Sequence, residues 1–152
     1  MATDTILIVE REFDYPRQRV FKALTDPALI TKWLAPAGWS VLDGSVVSEP
    51  HIGGRFRNTK VNDADPQKMR VIDGIYTEVF DPDVVVVRHR ITGVQGVDAT
   101  SVVELRVEFT KTGRNGTFVR VIQGPYTPEA AQDYSDGWET MLDKLESLLA
   151  AG

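Results

Sequence analysis

Apolar residues recur at alternating spacings of four and three along residues 127–150. Tyr134, Trp138, Met141, Leu145 and Leu148 make one stripe, which Leu142 and Leu149 widen. Glu129, Gln132, Asp133, Asp136, Glu139, Asp143 and Glu146 fall largely outside it. The stretch opens on Thr127-Pro128-Glu129: a capping hydroxyl, a proline preset for the first helical position, and a carboxylate near the positive helix end. This predicts a long amphipathic helix whose apolar side needs a surface to lie on.

The upstream pattern supplies that surface. Residues 5–13 alternate as a strand, with Leu7, Val9, Arg11 and Phe13 on one face and Ile6, Ile8, Glu10 and Glu12 on the other. Asp14-Tyr15-Pro16 ends it and opens a short helix with Val20, Phe21 and Leu24 apolar. Asp26-Pro27 starts a second, over 28–34, carrying Leu29, Ile30, Trp33 and Leu34. From Trp39 to Gln123 the period is two, and it predicts strands at 41–47, 55–60, 69–80, 84–91, 101–110 and 117–123. Turn residues separate them at 62–66, 81–83, 93–96 and 113–116, and Asn115-Gly116 is the strongest hairpin signal. The order implies an α+β fold: a curved antiparallel sheet of about six to seven strands wrapped around a long C-terminal helix, with two short helices after the first strand. Residues 1–152 are expected to form a single domain with a space between sheet and helix, closed at one end by the short helices.

Composition narrows the partners. The formal net charge is −5, from 17 basic and 22 acidic residues, and the basic ones are scattered, which argues against nucleic acid and an anionic membrane. Cysteine is absent, so disulfides, thiolate nucleophiles and the usual structural zinc are excluded. Without a signal-peptide layout or a membrane-length apolar run, the expected location is cytoplasmic.

Candidate chemistry is sparse. His51 and His89 are the only histidines, at no metal-binding spacing, and no metal or other cofactor is expected. His89 shares its strand parity with Val85, Val87 and Ile91, so it should point inward, as a hydrogen-bonded core or rim histidine or, alternatively, as a general base. Arg11, between Val9 and Phe13, needs a carboxylate partner or an anionic ligand, and a structural pair is favoured. Gln123 follows the inward parity of Val119 and Val121. Tyr76 and Glu78 share a parity, but both faces of 69–80 carry apolar residues and leave their direction open. Trp33 reads as core. The expected cavity lining is Arg11, Trp39, Phe56, Tyr76, His89, Phe109, Val119, Gln123, Tyr134, Trp138 and Met141. Gly137, inside the helix, implies a close sheet approach or an open mouth. No nucleophile elbow, phosphate loop, paired catalytic carboxylates or nucleotide fingerprint appears.

Four stretches in order carry a resemblance: Val20-Phe21-Lys22-Ala23-Leu24-Thr25-Asp26-Pro27 with Trp33; Gly53-Gly54-Arg55-Phe56; Gly74-Ile75-Tyr76-Thr77-Glu78-Val79 with Pro82; and Gly137-Trp138 through Leu142-Asp143-Lys144-Leu145. From about Ile6 to Ala150 the chain resembles the bacterial family named for the C-terminal domain of the activator of heat-shock-protein-90 ATPase, within the START-like, birch-pollen-allergen-like (SRPBCC) superfamily. The resemblance implies a helix-grip fold, which matches this order. Related folds bind hydrophobic ligands, cyclise polyketides or serve as co-chaperone modules. The expectation is therefore a binder of a small hydrophobic or amphipathic molecule. A cyclase or dehydratase using His89, Glu78 or Arg11 is the alternative, and a chaperone-associated interaction module the third reading. A homodimer and a chaperone partner are left open.

Overall fold

The computed structural model describes residues 3–94 and 97–152. The expected loop tip at 93–96 therefore lies partly outside the described residues, since Gln95 and Gly96 do. The chain runs β1 (Thr5–Phe13), α1 (Arg17–Thr25), α2 (Pro27–Trp33), β2 (Trp39–Val41), β3 (Val47–Ser48), β4 (Arg55–Asn62), β5 (Met69–Phe80), β6 (Val84–Thr92), β7 (Val103–Thr112), β8 (Gly116–Tyr126) and α3 (Pro128–Ala151). All pairings are antiparallel, in the order β1-β8-β7-β6-β5-β4-β2, with β3 also paired to β4. This is the α+β arrangement that the periodicity predicts and the helix-grip fold that the resemblance implies.

The caps form as their residues dictate. Thr127 accepts from the Ala130 amide at the start of α3, and Asp26 accepts from the Ala28 amide at the start of α2, each followed by proline. Trp138, Met141, Leu142, Leu145 and Leu149 are buried on the inner sheet face, whereas Leu148 is half-buried at the margin of the stripe. Trp33 fills core, donating its indole N–H to the Ala23 carbonyl at 2.8 Å.

One expectation changes. The strand expected over 41–47 is two short strands, because Asp43-Gly44 turns the chain, with Gly44 at φ 77° and the Ser45 hydroxyl on the Leu42 carbonyl. Val84 and Val86, opposite in strand parity to His89, face outward and are nonetheless buried. Glu78, Arg106 and Glu108 lie on the flanking strands, and their ion pairs close over these valines.

The inner face divides in two. At one end Phe13, Val20, Phe21, Val107, Phe109, Val119, Leu142 and Leu145 belong to the packed core, with Phe21 edge-on to Phe109 at 5.3 Å. At the other end the first half of α3 stands off the sheet.

Candidate functional site

That stand-off is a cavity of about 430 Å³ between β4–β8 and α3. Its apolar wall comes from Leu34, Trp39, Phe56, Ile72, Ile91, Leu105, Trp138 and Met141. The rim segment 36–39 is stapled to α3: the Ala37 amide donates to the Thr140 hydroxyl, and the Lys144 ammonium donates to the Pro36 and Trp39 carbonyls. Gly137 lines the mouth, and a Cβ there would meet only Pro36, at 3.5 Å, so the absent side chain leaves room at the mouth.

A row of three buried side chains crosses the inner wall. The Trp138 indole N–H donates to Gln123 Oε1 at 2.9 Å, and Gln123 Nε2 faces His89 Nε2 at 3.3 Å. An indole only donates, so Gln123 must turn its amide nitrogen toward His89, whose Nε2 then accepts. The imidazole proton therefore sits on Nδ1, which meets no acceptor in good hydrogen-bond geometry among the described residues, although the Arg90 backbone lies close enough to favour its protonated form. Burial pushes His89 down to about 4, so the ring is neutral at ordinary pH. Gly74 on the adjacent strand makes room for it, since a Cβ there would lie 2.5 Å from the His89 Cβ.

Beside the row lie two cations that the periodicity does not single out. Lys60 and Arg70 are register partners across β4 and β5, and both line the cavity. Lys60 is only 5% exposed and donates to Asn58 Oδ1 at 2.8 Å. Burial, helped by Arg70, pushes its ammonium down to about 7. The Arg70 guanidinium lies 4.1 Å over the Trp39 ring, and its Nε is buried without an acceptor. Across the mouth, Tyr134 stacks on Tyr126 at 4.7 Å, and burial pushes the Tyr134 hydroxyl up to about 12.

Of the expected lining residues, Trp39, Phe56, His89, Gln123, Tyr134, Trp138 and Met141 stand at this wall. Four do not. Arg11 is inward but held at the sheet margin by Asp143, at 2.7 Å, and Glu139, at 3.1 Å, the structural pairing. Tyr76 is core: its hydroxyl meets the Ser48 hydroxyl at 2.6 Å behind Phe56. Phe109 and Val119 lie in the packed end, under α1. Leu34, Ile72, Ile91 and Leu105 join the wall, as do Lys60 and Arg70, whose charges hide an inward parity. Among the described residues, no group of three or more His, Cys, Asp or Glu could hold a metal. Nor is any helix among them long and apolar enough to cross a membrane.

An antiparallel sheet curled around one long helix, with a cavity under that helix's first half, defines a helix-grip domain of the START-like kind. The chain belongs to the family of Activator of Hsp90 ATPase homolog 1-like proteins, whose model matches residues 14–150. Among curated proteins, none matches it in sequence. Solved structures share the fold at low identity. A Chromobacterium violaceum protein superimposes with a TM-score of 0.81 at 19% identity, covering 94% of this chain and 95% of its own. A Nitrosomonas europaea protein gives 0.79 at 24%, covering 99% and 97%. The AHSA1 protein of Silicibacter pomeroyi gives 0.79 at 20%, covering 97% and 99%.

Proposed function

We propose that this protein binds a small hydrophobic or amphipathic molecule in the space between sheet and α3. The observation that carries the reading is the cavity of about 430 Å³, which is walled mainly by aliphatic and aromatic side chains and holds a few polar groups at fixed positions. Small-molecule sites have this size and make-up. The catalytic alternative has less support. Glu78 pairs with Arg106 on the outer face, Arg11 is neutralised by Glu139 and Asp143, and His89 has an amide rather than a carboxylate beside it.

The test uses the uncharged fluorophore N-phenyl-1-naphthylamine. Its emission should rise and shift to the blue with the wild-type protein, and the change should saturate. Ile72→Trp, which fills the cavity from the β5 side, should abolish the signal while leaving a cooperative urea transition. Equal emission from both proteins would place the probe outside the cavity and sink the reading.

A further inference from the structure

The polar part of the wall has a shortage of one kind of group. Three buried nitrogens on or next to it make no well-formed hydrogen bond among the described residues: Asn58 Nδ2, Arg70 Nε and His89 Nδ1, the last with the Arg90 backbone nearby. All three are donors. Asn58 Oδ1 already accepts from Lys60, which leaves the amide nitrogen as the unpartnered atom, and His89 carries its proton on Nδ1 because Nε2 faces the Gln123 amide. Buried donors without acceptors are costly, and native proteins rarely tolerate several together.

Charge shows the same imbalance. Lys60 and Arg70 face each other across neighbouring strands, where like charges repel. Neither enters an ion pair among the described residues. Among the described residues, the one acidic residue of the wall, Asp133, is exposed on α3. In a chain with more acidic than basic residues, an inward cationic pair without a carboxylate leaves a place for an anion from outside. Arginine beside lysine suits a carboxylate, which offers two oxygens to a planar fork.

We propose that the occupant is an amphipathic organic acid, with its anionic head between Lys60 and Arg70 and its apolar body along Ile72, Ile91 and Met141. The proposal rests on the small-molecule reading above and names the chemistry of the ligand. The lowered proton affinity of Lys60 accords with an unfilled charge site, because an arriving anion would hold the proton on the amine.

Decanoate and 1-decanol share a tail and differ at the head, and each can be titrated against bound N-phenyl-1-naphthylamine at pH 6.5. Decanoate should displace the fluorophore at about one-tenth the concentration that decanol needs, or less, as a charge-assisted contact warrants. In Lys60→Met and in Arg70→Gln that advantage should shrink toward parity while the fluorophore still binds. Decanol matching decanoate on the wild-type protein would overturn the acidic head and leave the small-molecule reading intact. Failure of the fluorophore itself to bind the wild-type protein would overturn both. The wild-type comparison needs no variant, so a folding defect in either substitution does not decide the outcome.

Discussion

Lys60 and His89 sit where burial disfavours their charged forms, and this makes them thermodynamic liabilities. Both are bases with depressed folded values, about 7 for Lys60 against an ordinary 10.5, and about 4 for His89 against 6.5. The unfolded chain therefore binds more protons than the folded one between about pH 4 and 6.5, through His89, and between about pH 7 and 10.5, through Lys60. Stability from these groups rises with pH across each window and is lost as pH falls through it. Urea titrations of wild type against His89→Gln should show the acid-side difference. Lys60→Met should flatten the alkaline rise, because the change removes the group that takes up a proton on unfolding there. A wild-type stability level from pH 7 to 10 would contradict a buried Lys60. Period two made His89 and Gln123 legible, because Val85, Val87, Val119 and Val121 mark the inward side of their strands. It failed at Lys60, whose strand offers only Phe56 as a large apolar marker, and at Arg70, whose strand is apolar on both faces.

Among the elements, α3 is the most strongly specified. Its stripe, cap and proline agree, and Leu145 is 2% exposed in the packed end. Leu145→Ala should cost about 2–5 kcal/mol, the range for a buried leucine truncation. Glu146→Ala, one position on and exposed, should cost under roughly 0.5 kcal/mol. Similar shifts in urea midpoint for the two would mean that the stripe faces another way. Glu139 is a poorer control than its place outside the stripe suggests, because it holds Arg11. Sequence pattern read the long strands well and the short ones badly. Valines on both sides of Asp43-Gly44 imitate a continuous strand, and only the turn geometry separates Trp39–Val41 from Val47–Ser48. Alternation likewise finds which side of β6 faces outward, but not that ion pairs between β5 and β7 bury Val84 and Val86.

At the scale of the whole molecule, the long central strands and the short ones at one margin should open at different free energies. Hydrogen exchange should be slowest in β6, β7 and β8, whose inner residues join the packed core, and much faster in β2 and β3, of three and two residues. Uniform protection across the sheet would contradict this division. The sheet order and the grip on α3 follow from elements the sequence marks plainly, whereas the cavity does not, because an open space leaves no periodic signature. Its place depends on where side chains fail to meet, which is a property of three-dimensional packing. The division between a filled end and an open one also bears on how such a domain can change over generations. Exchanges at Ile72 or Lys60 would alter the shape and charge of the cavity without unseating Phe13, Phe21, Phe109 or Leu145, which belong to the packed core. Such a chain can reshape its interior space while its architecture stays under separate selection.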